Sequence, residues 1–182
     1  MIIVAALFAL AMVPQDTTLP GLSPRARQLL NHFTPPSDGR VSIGIRFSDD
    51  TVWLGEQVEL VTAAWFPRDL RDRLRRQPTL RTPSLAGLWS APTQTSPLLA
   101  ESQRVGGRVY DLFVSHQILF PLASGPVDAP PAVLSYAVPA SSSFFAPEDR
   151  TTVESGTARL VVRPLPAALA ARLGSGPTAE NI

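Results

Sequence analysis

Between residues 41 and 47 apolar and polar side chains alternate: Val41, Ile43, Ile45 and Phe47 fall on one side of an extended chain and Ser42, Gly44 and Arg46 on the other. A period of two is that of a β-strand with one face in a core. After the breaks at Asp49-Asp50 and Leu54-Gly55-Glu56, residues 57–66 (QVELVTAAWF) begin a second strand. Val58, Leu60, Thr62, Ala64 and Phe66 share one face, while Val61, Ala63 and Trp65 make the other face apolar too. Such a strand is predicted to be central and covered on both sides. Residues 109–120 give the clearest strand, with Tyr110, Leu112, Val114, His116, Ile118 and Phe120 on the face expected to point inward. The turn Val105-Gly106-Gly107-Arg108 joins it to residues 98–104 as a hairpin.

Further strands are expected at residues 132–138, with Leu134, Tyr136 and Val138 inward, and at 157–163, with a loop over 139–149. Residues 77–97 read as irregular chain with one or two short edge strands. Helical spacing is confined to two short stretches. Ser23 is a good N-cap, Pro24 suits the first helical position, and Leu29, Leu30 and Phe33 form an apolar stripe, so a short helix is expected outside the main core. Residues 68–76 (RDLRDRLRR) read as a charged helical turn with Leu70 and Leu74 four apart. Many short strands separated by turn signals, without long intervening helices, predict an all-β protein: an immunoglobulin-like antiparallel β-sandwich with a short N-terminal helix.

Composition sharpens this picture. Among 182 residues there are 19 Pro and 11 Gly, which suits short elements closed by turns and disfavours long helices. The net charge of +1, from 16 basic and 15 acidic residues, supplies no global field to hold nucleic acid or an anionic membrane. Every basic residue is Arg, so no lysine can act as a base, Schiff-base former or phosphate clamp. Cysteine is absent, which removes disulfides, thiolate nucleophiles and Cys metal sites.

The first residues bear on location. Residues 2–13 (IIVAALFALAMV) form an unbroken apolar run of signal-peptide length, shorter than the ~20 residues that span a bilayer. Ala9-Leu10-Ala11 is a small-x-small cleavage candidate, although the usual cationic start is missing. The expected organisation is a signal-like segment at 1–13, a linker with the short helix at 14–40, the sandwich at 41–166 and a C-terminal tail at 167–182. The expected location is periplasmic or otherwise extracytoplasmic, with membrane association only through a region not present in this chain.

Candidate chemistry is sparse. A Ser-His-Asp hydrolase needs a serine at a sharp turn and a histidine that reaches it, but no G-x-S-x-G occurs and only His32 and His116 exist. His116 is the candidate general base; a histidine among core residues is ordinarily hydrogen-bonded structure. Two isolated histidines make no zinc set. Ser48-Asp49-Asp50 is the best cation candidate, read otherwise as a polar turn, and Gly106-Gly107 lacks the spacing of a phosphate loop. The 68–76 stretch carries five Arg and two Asp and suits an acidic partner or lipid head groups. Its prosaic reading is a solvated face on which Asp69 pairs with Arg73, and Asp72 with Arg68, Arg75 or Arg76. No catalytic, cofactor-binding or metal residues are therefore assigned, and no cofactor is expected. A second reading is a carbohydrate-binding or adhesin-type sandwich with Trp53, Trp65 and Trp89 as stacking platforms, for which Trp65 would have to be exposed; burial is expected for it.

Three passages carry a family resemblance. Residues 52–60 (VWLGEQVEL), 110–125 (YDLFVSHQILFPLASG) and 129–136 (APPAVLSY), followed by Val162-Arg163-Pro164-Leu165-Pro166, resemble the BatD family of bacterial aerotolerance, or oxygen-tolerance, proteins. The resemblance covers about residues 41–166. It implies a non-enzymatic envelope protein of extracytoplasmic sandwich domains that contacts other envelope proteins, beside von Willebrand A-type Bat partners and a MoxR-type ATPase system.

Overall fold

The structure is a computed structural model and describes residues 22–92, 96–141, 143 and 145–174. The signal-like segment at 1–13 and the tail beyond residue 174 lie outside these residues. Among the described residues eleven strands form one five-stranded and two three-stranded sheets, which pack as two layers. In the first, β1 (Ser42–Phe47) pairs antiparallel with β3 (Val58–Pro67), and β3 with β7 (Arg108–Pro121). The far edge of β7 is shared by β6 (Leu98–Val105) along its first half and β5 (Leu88–Ser90) along its end. The β6–β7 turn is Gly106-Gly107, with φ of 58° and 80°. Two successive positive φ values are those of a type I′ turn, whose twist matches the flanking strands.

The second layer, or second sheet, is made of the two three-stranded sheets end to end: β4 (Thr79–Arg81), β9 (Val133–Pro139) and β10 (Glu148–Glu154) in one, β2 (Thr51–Trp53), β8 (Gly125–Ala129) and β11 (Ala158–Arg163) in the other. β8 and β9 are halves of one long strand, and β10 and β11 halves of its partner. The ladder runs from Glu148↔Pro139 to Glu154↔Val133 and resumes in the same register from Ala158↔Ala129 to Val162↔Gly125. Pro130-Pro131 supply no amide donors, so the ladder lapses there. Ala132 and Ser155 bridge the lapse: Ser155 N–H donates to the Ala132 carbonyl (3.0 Å) and Ala132 N–H to the Ser155 hydroxyl (2.9 Å). With β4 on one side and β2 parallel to β11 on the other, the sheets are β1-β3-β7-β6 facing β4-β9-β10. This is the strand order of a constant-type immunoglobulin sandwich. The fold is an immunoglobulin-like antiparallel β-sandwich with a short N-terminal helix.

All ten residues of β3 are buried. Its even-numbered face joins the inter-sheet core, in one cluster around Phe47, Leu60, Leu119 and Leu160 and another around Ala64, Phe66 and Leu134. Phe66 meets Tyr136 edge-on at 5.0 Å, which locks the second cluster. The odd face of β3, with Tyr110, Leu112 and Val114 of β7, is covered by helix α1 (Pro24–Leu29) and the 3-10 turn Leu30–His32. Ser23 caps α1 as its position suggests, accepting from Ala26 N–H at 2.9 Å, and Ala26 is completely buried.

Two expectations are corrected by this arrangement. The short helix does not lie outside the core but closes its outer layer. The face of β7 carrying Tyr110, Leu112, Val114 and His116 looks out toward that helix, while Phe113 and Leu119 serve the inter-sheet core. Alternation fixes which residues share a face; it does not say which cover each face receives. β10 runs through residues 148–154, where the sequence pattern predicts a loop and then a gap, and β8 occupies part of the expected turn after Pro121. The edge strands of residues 77–97 are present as β4 and β5. Helix α2 (Arg68–Arg71) is four residues long, shorter than the pattern suggests, and α3 (Ala167–Gly174) forms at the start of the expected tail. Among the described residues no helix is long and apolar enough to cross a membrane.

The covered outer face has a measurable consequence. Leu112→Ala is expected to cost about 2–5 kcal/mol, the range for emptying a buried leucine site, read from chemical denaturation. A change within about 0.5 kcal/mol, typical of surface positions, would mean that the helix does not cover this face.

Candidate functional site

Two carboxylates sit inside otherwise apolar strands, and the polar chemistry of the domain is organised around them. Glu59, on the outer face of β3, is almost fully buried. His116 Nε2 lies 2.9 Å from its Oε2, both side chains being nearly inaccessible. The pair is diagonal across the ladder, since Glu59 opposes Ile118 and His116 opposes Val61. The Ser23 hydroxyl donates to the same carboxylate oxygen, and Gln57 Nε2 reaches the other at 3.4 Å. The sequence candidate His116 thus meets an acid, and it is the acid that a serine holds.

The order of these groups decides what they can do. In a nucleophilic triad the imidazole stands between hydroxyl and acid, so that it takes the hydroxyl proton. Here the carboxylate stands in the middle, and the Ser23 hydroxyl is turned to it rather than to His116. The geometry satisfies buried polar groups and ties the start of α1 to the sheet, with Arg25 to Asp49 at 3.6 Å as a second, exposed tether. His32 is exposed at the end of its 3-10 turn. The Ser48-Asp49-Asp50 stretch forms a turn in which Ser48 donates to Asp49 at 2.8 Å and the Asp50 carbonyl accepts from Val161 N–H at 2.9 Å. Among the described residues no three His, Asp or Glu side chains gather in a metal-ligand set.

The second carboxylate, Asp111 on β7, is fully buried opposite Phe66. Arg68 Nη2 and Arg71 Nη1 each approach it at 2.6 Å, and the Ser102 hydroxyl donates to it at 2.6 Å. The arginine-rich stretch therefore does not pair within itself in the expected way. Asp72 meets Arg71 at 3.3 Å and Asp69 meets Arg108 at 3.6 Å. Leu70 and Leu74 do pack inward. Burial alone would raise the Asp111 carboxyl, but hydrogen bonds from Arg68 and Ser102 and the charges of Arg71 and Arg68 outweigh it and hold it below its usual value. The Asp111 bond in turn raises Arg68.

Glu59 and Asp111 carry no motif that singles them out, yet each is the lone charge in an apolar strand (VELVTAAWF and VYDLFV). A lone charge in such a strand demands a partner from elsewhere in the chain, and that is the signal by which both could be found.

The tryptophans separate into two classes. Trp65 is buried, its indole N–H donating to the Phe33 carbonyl at 3.0 Å. Trp53 is 41% exposed, with Arg163 over its ring at 5.9 Å, and Trp89 is 52% exposed beside Phe120 at 5.5 Å. Both exposed rings sit at one end of the sandwich. Gly55 N–H bonds the Pro121 carbonyl at 3.0 Å, Leu88 pairs with Pro121, and the exposed Leu122 donates to the Gly87 carbonyl at 2.9 Å. Trp53 and Trp89 thus lie near one end of the sandwich but on opposite outer faces, since their neighbours Val52 and Leu88 face the inter-sheet core.

No family model matches the chain, and no curated protein does. Among solved structures it is similar to the crystal structure of BcpA*(D312A), the major pilin subunit of Bacillus cereus, at 12% identity and a TM-score of 0.41. The similarity covers 69% of this chain and 40% of the pilin chain.

Two outcomes test the buried nodes. The folded Asp111 carboxyl is held below its unfolded-state value of about 3.9, so its stabilisation is complete above that pH. It is lost as pH falls through the folded value. Asp111→Asn should therefore be less stable at neutral pH by about 1.5–3 kcal/mol, the worth of hydrogen bonds to a charged group. Its deficit should shrink between pH 4 and the acid transition, as followed by denaturant titration; a pH-independent deficit would contradict the ion-pair account. Ser23→Ala removes a helix cap and a donor to Glu59 together, and is expected to cost about 1–2 kcal/mol and to free α1 to proteolysis before the sheets open.

Proposed function

We propose that this domain is a BatD-like, non-enzymatic extracytoplasmic module that mediates protein contacts in a bacterial envelope stress or oxygen-tolerance system. The observation that carries the reading is the division of the molecule's polar and apolar surface. The groups with the greatest chemical potential, Glu59, His116 and Asp111, are closed on one another or on arginines inside the fold. The exposed end of the sandwich instead presents Trp53, Trp89 and Leu122, with Arg163 against the first ring. Trp and Arg are the side chains enriched at the centres of protein interfaces, and Trp53 stands exposed with Arg163 over its ring. The family resemblance over residues 41–166 and the apolar run at 2–13 support an envelope setting, with von Willebrand A-type proteins and a MoxR-type ATPase system as the candidate partners.

A carbohydrate-binding or adhesin-type module is the second reading, and it is the exposure of the Trp53 and Trp89 rings that favours it. The test is co-purification of the tagged protein from membranes of its native host. Recovery of a von Willebrand A-type protein, reduced at least about tenfold by the double variant Trp53→Ala/Trp89→Ala, is the expected result. Recovery of none, together with a glycan that binds the wild type and not the variant, would replace the protein-contact reading with the carbohydrate one.

A further inference from the structure

The outer face of the second sheet, away from the aromatic end, carries a groove whose three arginines have no ion-pair partner among the described residues. Its floor is β9, where Val133, Ser135 and Ala137 point away from the core because their neighbours Leu134 and Tyr136 point into it. These small side chains leave the centre of the sheet low. The flanking strands raise the walls. Arg81 of β4 pairs with Val133, and Arg150 of β10 pairs with Ala137, so the two arginines stand on the same face across three strands and four residues apart along β9, about 16 Å apart at the backbone. Arg76, just before β4, completes a groove of about 330 Å³. All three arginines are exposed, and none has an ion pair or side-chain hydrogen bond among the described residues. The acidic group lining the groove, Glu148, is shared with Arg75 at 3.8 Å.

We infer that this groove binds an extended acidic polypeptide segment of a partner protein, its Asp or Glu carboxylates taken by Arg76, Arg81 and Arg150. The guanidinium fork matches a carboxylate in bidentate fashion, and three forks disposed along and across one strand direction suit carboxylates spaced along an extended chain. A sugar chain fits less well. Tyr136, the aromatic residue at this groove, packs its ring against Phe66 in the core, so no flat platform faces outward for a pyranose to stack on. The inference rests on the protein-contact reading and adds to it a second surface with its own partner chemistry.

The experiment measures fluorescence anisotropy of a labelled decapeptide of alternating Glu and Val against the full chain, with alternating Gln and Val as the comparison. The acidic peptide is expected to bind, and the Gln peptide to bind at least about tenfold more weakly. Affinity should fall as salt rises. The triple variant Arg76→Ser/Arg81→Ser/Arg150→Ser should lose at least about tenfold in affinity, whereas Arg40→Ser, an exposed arginine elsewhere, should not. Ser135→Phe, which fills the floor and keeps every arginine, should also weaken binding and so separates groove from bulk charge. Equal binding of the two peptides, full affinity in the triple variant, or displacement by polygalacturonate at lower concentration than by the acidic peptide would each overturn the groove assignment. Because the aromatic end is untouched in these variants, failure here leaves the co-purification of envelope partners as an independent result.

Discussion

The structure depends on the burial of one strand on both of its faces. β3 lies between β1 and β7 within its sheet, beneath the second sheet on one side and beneath α1 on the other, and all ten of its residues are inaccessible. A strand in that position forfeits hydration of every polar atom it carries. The backbone is satisfied by antiparallel ladders on both edges, and the single charged side chain, Glu59, is met by His116, Ser23 and Gln57. The same logic places two arginines on Asp111 of the neighbouring strand.

From this constraint the rest of the architecture follows in order. The outer face of β3 and β7 needs a cover, and α1 supplies it with few residues because Ser23 both caps the helix and answers Glu59. The inter-sheet face divides into two apolar clusters, with Thr62 and Gln117 between them. On the opposing sheet the interruption at Pro130-Pro131 and Ser155 breaks the long hairpin without shifting its register. Among what faces solvent are the Trp53 and Trp89 rings near one end and the arginine-walled face of β4, β9 and β10. Both are outward-facing products of strands whose inner faces are committed to the core.

Much of the fold is legible as pattern. Strict alternation marks β1, the apolar character of both faces marks the central position of β3, and Gly106-Gly107 marks the type I′ turn. The parts that pattern does not show share a physical cause. β10 (EDRTTVE) has a half-buried pattern too weak to rise above its polar content, because its outer residues are exposed arginine, threonine and glutamate. The inward face of β7 cannot be told from alternation because its outer face is the more apolar, a choice made by α1, which lies some eighty residues away in sequence. The burial of Trp65 is readable; its partner, the Phe33 carbonyl, is not. Ion pairing on α2 fails as a local reading because a buried carboxylate competes for arginines more strongly than an exposed neighbour does.

Amide hydrogen exchange followed by mass spectrometry tests the two-sided burial of β3 most directly. The account predicts that Val58–Pro67 and Arg108–Pro121 exchange most slowly and only through global opening, with Ala26–Leu30 protected well above the level of an isolated short helix. Unprotected exchange across Ala26–Leu30, with β3 retaining full protection, would show that the helix is no part of the core and would contradict the account.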